Sequence, residues 1–227
     1  MRLSDKLALE YLKFRNQCEF DLRCIEALLR YFKGEFIFTK EQLSDASKEI
    51  ASFDMSRFLP LLNKIPKFRL ILCDDNDKFP NVNIFNDRIE NNLSATFKAG
   101  EQRNKAIEHF KALFKDAKSI FIYDNYLKFD KLQDLVKKCQ INCDIFLEEN
   151  QYNKLNEKSV SKQIPRNIKI DTNCQLEFKN THDRYIIIDN KIEIILTSGI
   201  DHLFSRKKDF TYMIREIEKD SNVKNYI

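Results

Sequence analysis

Tryptophan is absent from this 227-residue chain and glycine occurs only three times. So few glycines leave few tight loops able to bring backbone amides against a ligand, and side chains must do most of any anion binding. No run of 18 apolar residues occurs, so no membrane-spanning helix is predicted. The start of the chain has no signal-peptide pattern, so a cytoplasmic protein with reduced thiols is expected. Its six cysteines stand at 18, 24, 73, 139, 143 and 174, and no histidine near Cys139 and Cys143 completes a zinc-site spacing. No metal and no other cofactor is predicted. The acid-rich stretch 74–83 lacks the glycine and the terminal glutamate of a calcium loop and reads as a solvated loop.

Apolar residues make up 43% and charged residues 33%, the composition of a globular chain long enough to bury a core. Phenylalanine is frequent, at 19. The abundance of Lys, Asn, Ile and Phe suggests an AT-rich, bacterial genome. A formal charge of +4, from 39 basic and 35 acidic residues, selects no partner by itself.

Leu7, Tyr11, Phe14, Cys18, Ile25, Leu28 and Phe32 fall at spacings of three and four, interrupted at Asp21, and predict one long amphipathic helix over 4–33 with Gly34 as its stop. Such a stripe reads as core, or as a surface that pairs two subunits. Residues 40–64 predict a shorter helical region interrupted near Ser52 to Ser56. A strand candidate follows at 67–74. From about residue 99, helix and strand patterns alternate, and then a cluster of strands follows: 167–172, 175–179, 184–190, 191–198 and 209–214. That order predicts an α/β layered domain with a mixed sheet flanked by helices.

The stretch Thr181-His182-Asp183-Arg184-Tyr185-Ile186-Ile187-Ile188-Asp189-Asn190 sets a histidine, an acid and an arginine at the mouth of a buried strand. Alternation along a strand puts His182 and Arg184 on one face, as a shared phosphate requires, and Asp183 on the other. A histidine switches between nucleophile and acid near neutral pH, and an arginine clamps phosphate bidentately. Leu196-Thr197-Ser198-Gly199 follows, and Asp209 opens the next strand pattern. Asp189 reads as a turn former before Asn190. Asp124, at the end of a strand, and Asp201 read equally as turn or cap residues and as supporting site residues. His202 reads as a surface residue and His109 as part of a helix. The basic run Ser205-Arg206-Lys207-Lys208 reads either as a solvated loop or as an electrostatic guide toward His182.

His182-x-Arg184-x4-Asp189, the Thr197-Ser198 element and Asp209 together resemble the signature of the phospholipase D superfamily, His-x-Lys-x4-Asp followed by Gly-Ser-x-Asn and a later acid. Arg184 replaces the lysine, and Leu196-Thr197-Ser198-Gly199 replaces Gly-Ser-x-Asn. The segment 182–204 and the stretch around Asp124 and Tyr126 are more closely similar to the C-terminal phospholipase-D-like domain of the MIT-domain-containing protein 1 family, over roughly residues 90–214. The resemblance implies a phospholipase-D-like domain over 65–227 behind an N-terminal helical region, 1–64. It implies catalytic roles for His182, Arg184 and Asp209, the last orienting the histidine, and phosphate binding by Arg184, Thr197 and Ser198. Asp124, Asp189 and Asp201 would support the site. With one such motif per chain, the two-histidine mechanism implies a homodimer. The implied activity is metal-independent phosphodiester hydrolysis, of nucleic acid foremost. The alternatives are an inert dimerisation module that binds phosphate or an anionic phospholipid headgroup, and an adaptor that recruits a partner through its first helix.

Overall fold

The computed structural model describes residues 1–31, 34–157, 168–171 and 182–217. The chain forms two compact units, Met1–Asn92 and Leu93–Ile227. The strand candidate at 175–179 lies outside the described residues.

In the first unit, the single helix expected over 4–33 is two helices, α1 (Asp5–Arg15) and α2 (Leu22–Arg30). The break is chemical. Gln17 takes a left-handed φ of 58°. Its amide donates to Phe14 O at 3.2 Å and that of Cys18 to Lys13 O at 3.0 Å, the paired bonds that close a helix C-terminus. Asp21 then caps α2 by accepting from Cys24 N at 3.2 Å. The apolar period runs through the break because both helices bury the same stripe. Helix α3 (Lys40–Glu49) opens on a reciprocal capping box between Thr39 and Gln42. A 3-10 segment, Met55–Leu61, follows after Ser52 turns the chain at positive φ. Three parallel strands complete the unit in the order β1 (Arg2–Leu3), β2 (Ile71–Cys73), β3 (Asn81–Asn83). The strand foreseen at 67–74 is β2, so this unit runs past the expected boundary at residue 64 to Asn92. The loop read at 74–83 contributes β3.

The second unit is a mixed seven-stranded sheet flanked by helices. Its elements are β4 (Ser94–Phe97), α4 (Asn104–Phe114), β5 (Ser119–Tyr123), α5 (Phe129–Lys138), β6 (Asp144–Glu148), α6 (Glu149–Glu157), β7 (Ile168–Asp171), β8 (Arg184–Ile188), β9 (Ile192–Leu196), α7 (Asp201–Phe204) and β10 (Phe210–Glu216). Strand order is β4-β10-β9-β8-β5-β6-β7. Strands β5, β6 and β7 are parallel, while β8, β9, β10 and β4 pair antiparallel. Central strands buried on both faces need near-continuous apolar runs, and Ile120–Tyr123 and Ile186–Ile188 supply them. One face packs Phe121, Tyr123 and Ile187 together. Helix α4 is anchored by Ala106, Phe110, Leu113 and Phe114. His109 of that helix is fully buried, its Nδ1 3.0 Å from the Tyr212 hydroxyl.

This topology gathers chain ends at one edge of the sheet. The carboxyl end of β5 lies between the start of β8 and the carboxyl end of β6, through the pairs Tyr123↔Tyr185 and Ile122↔Leu147. The start of β8 lies beside the end of β9, through Arg184↔Leu196. The end of β9 lies beside the start of β10.

Candidate phosphate site

Asp124 follows directly on β5 and is 2% exposed. A carboxylate so far out of water requires partners, and it has three. Its Oδ1 accepts from the Tyr126 amide at 2.9 Å, its Oδ2 accepts from the Ile200 amide at 3.0 Å, and Arg184 Nε lies 3.8 Å away. One carboxylate thus ties the end of β5, the start of β8 and the turn after β9 together. Gly199 makes the close approach possible: a Cβ there would stand 2.6 Å from Asp201 Oδ1 and 3.4 Å from Asp124 Oδ2.

The Arg184 side chain is 20% exposed. Nη1 donates to Thr197 O at 3.3 Å, and the guanidinium lies 5.6 Å from the centroid of the Tyr126 ring. These contacts fix the fork's direction and leave most of its donors for an anion. In the turn after β9, Ser198 Oγ and His202 Nδ1 are buried and have no hydrogen-bond partner among the described residues. Buried polar atoms are nearly always satisfied, so two such atoms in the turn that Arg184 and Asp124 contact mark that turn as a candidate binding site. His202 Nε2 is 3.8 Å from Asp201 Oδ1.

His182 is exposed at the mouth of β8. Counting the β8–β9 register two residues past Arg184↔Leu196 sets it level with Ser198. Among the described residues no carboxylate pairs with it. Asp209 is at the same sheet edge, but its carboxylate accepts from Lys98 Nζ and from the Ala99 amide, each at 2.9 Å. The Lys98 bond first, and then the Ala99 amide, hold its pKa below the ordinary value. Thr197 Oγ1 turns to Thr211 O at 3.5 Å. Asp189 stands at the opposite edge of the sheet. It forms the β8–β9 hairpin turn with Asn190, at φ of 51° and 53°, and its Oδ1 accepts from the Lys118 and Ser119 amides at 2.9 Å each.

The structure therefore brings together Arg184, Asp124, Ser198 and Asp201 from the residues singled out in the sequence, with His182 beside them. It separates Asp189 from them and engages Asp209 elsewhere. Sequence reasoning passed over His202 and the ring of Tyr126. The signal for Tyr126 was its place two residues after Asp124, where an aspartate that ends a strand caps the turn that presents it.

No family model matches the chain, and no curated protein matches it. Solved structures similar to it include NucT from Helicobacter pylori, at 14% identity and a TM-score of 0.33, covering 56% of this chain and 87% of that one. Nuc from Salmonella typhimurium, a phospholipase D family member, is 18% identical with a TM-score of 0.28, over 53% of this chain and 82% of that one. TrmBL2, an archaeal chromatin protein with a novel mode of DNA binding, is 9% identical with a TM-score of 0.29, over 77% of this chain and 52% of that one. Likeness at this level concerns the arrangement of sheet and helices alone, and function has to be read from the side chains.

Proposed function

We propose that the second unit carries a metal-independent phosphodiesterase site of the phospholipase-D-like kind, with nucleic acid as its substrate class. The observation that supports this most is the Arg184 centre, an arginine held by a buried carboxylate, with two buried polar atoms in the turn after β9 that have no partner among the described residues. Arg184 takes the non-bridging oxygens of the phosphodiester, and Ser198 and Thr197 add secondary hydrogen bonds. A neutral ring nitrogen of His182 attacks phosphorus, and the bond to the leaving oxygen breaks. A second, protonated histidine gives that oxygen its proton. Water, deprotonated by this same second histidine, then attacks the phosphohistidine, frees His182 and leaves a phosphomonoester. A second copy of the chain supplies the second histidine, so the working species is a homodimer.

One observation favours a second reading. Asp209, the expected orienter of His182, is engaged by Lys98 and Ala99. A site without an oriented nucleophile binds phosphate and does not turn it over, and a nucleic acid or a phospholipid headgroup could supply that phosphate. The test is incubation in EDTA with labelled single- and double-stranded DNA and RNA, alongside His182→Ala. Cleavage by wild type alone supports the phosphodiesterase. Arg184-dependent binding with no cleavage supports the module.

A further inference from the structure

Two features at the same sheet edge are not used by the phosphodiester reading. The first is the ring of Tyr126, 76% exposed and the most exposed large apolar side chain among the described residues. Its exposure is built in. The Tyr126 amide donates to Asp124 Oδ1 and the Leu127 amide to Asp124 O at 2.9 Å, so the turn that carries the ring is closed on both sides. Arg184 lies over the ring, and the remaining surface is open to solvent.

The second feature is the loop 205–208. Arg103 is almost fully buried, and its guanidinium donates to the carbonyls of Ser205 and Lys208. The Gly100 amide donates to Arg206 O at 2.8 Å. A buried arginine and a glycine thus hold the loop's backbone at three points. Arg206, Lys207 and Lys208 project from it, exposed, and make no ion pair among the described residues. A cationic loop fixed in this way does not lose backbone freedom when it meets a polyanion.

We propose that Tyr126 and the 205–208 loop make the site selective for single-stranded nucleic acid: an unpaired base stacks on Tyr126 while its neighbouring phosphate sits on Arg184, and Arg206, Lys207 and Lys208 follow the next phosphates. This rests on the phosphodiester reading. Stacking requires a base face that a duplex keeps covered, and an aromatic beside a cation is the usual platform for an unpaired strand. A membrane surface fits less well. Docking there takes exposed apolar side chains among the cations, yet Ile200 and Leu203 are buried and Phe204 packs beside Lys138, its ring centroid 4.6 Å from Nζ.

The experiment is fluorescence anisotropy in EDTA on the full chain carrying His182→Ala, so that no probe is cleaved. Four probes are compared: a labelled single-stranded oligonucleotide, its duplex, an abasic strand with the same number of phosphates, and phosphatidylserine vesicles. The single strand should bind most tightly. Tyr126→Ala should weaken it by about 10-fold or more and leave the abasic strand unchanged, while Tyr126→Phe keeps the affinity. Replacing Arg206, Lys207 and Lys208 with Gln should flatten the salt dependence by about 2 log units per log unit of salt for both strands, roughly 0.7 for each phosphate no longer neutralised. Equal affinity for the intact and abasic strands, or preference for vesicles, would overturn the proposal. A small probe separates this failure from that of the underlying reading. Should hydrolysis of bis(4-nitrophenyl) phosphate by the otherwise wild-type chain depend on Arg184 while strand selectivity is absent, only this inference fails. Should Arg184→Gln change nothing for any probe, the phosphodiester reading fails as well.

Discussion

Asp124 sits almost out of water and holds two backbone amides and one guanidinium. Truncation to alanine strands both amides and removes the guanidinium's counter-charge, and each buried donor left without an acceptor costs about 1–3 kcal/mol. Asp124→Ala should therefore lower unfolding free energy by about 2–4 kcal/mol in urea titration. Asp124→Asn keeps one acceptor oxygen and should cost less, while phosphate binding weakens in both because Arg184 is no longer aimed. Asp209 differs, being exposed and held by Lys98 and then by the Ala99 amide. Because its folded pKa is depressed, the stability it contributes is present above the unfolded carboxylate value. That contribution is lost as pH falls through the folded value. Its carboxyl carbon, followed by NMR, should titrate below the ordinary 3.8. In Lys98→Met the midpoint should move back toward that figure, since the largest cause of the depression is gone. An unchanged midpoint would mean that Asp209 is free of Lys98 in solution and available to His182.

Helix α1 ends on Gln17 in a left-handed conformation that favours glycine. Gln17 is exposed, so its side chain has little packing to lose. Gln17→Gly should raise the melting temperature, the left-handed backbone of a side-chain-bearing residue costing about 1 kcal/mol. No gain would show that the α1–α2 connection is not held as described. This position also explains why periodicity alone implies one helix where there are two. Hydrophobic spacing reports which side of the chain is buried, and both helices bury the same side, so the pattern continues where the hydrogen bonds do not. In the second unit, period and burial coincide: β5, β8 and β9 are short apolar runs between polar turns and are readable as strands. Strand β4 is not, because Ser94-Ala95-Thr96-Phe97 offers little apolar contrast at an edge where, among the described residues, β10 alone pairs with it.

Across the whole molecule, the sheet topology decides which of the singled-out residues meet. Spacing places His182 and Arg184 together correctly because they share one strand. It cannot place Asp189, which the strand length carries to the far edge, nor show that Asp209 finds Lys98 first. Nor can it separate His202 from a surface residue, since the turn holding it is tied down by Asp124, 76 residues away along the chain. His202 now bears on the second histidine of the reaction. The chain has three histidines, and His109 is occupied in the core by Tyr212. In the proposed homodimer the proton donor is His182 of the second copy, and the remaining histidine, His202 of the same chain, is the competing candidate. Mixing wild type with inactive His182→Ala under conditions of subunit exchange distinguishes the two. If two copies share one centre, every mixed dimer is dead, and equal amounts should lower activity per wild-type chain to about half. A tenfold excess should lower it to about a tenth. If His202 acts within one chain, added His182→Ala should leave activity per wild-type chain unchanged at every ratio, and His202→Ala should abolish cleavage while strand binding persists.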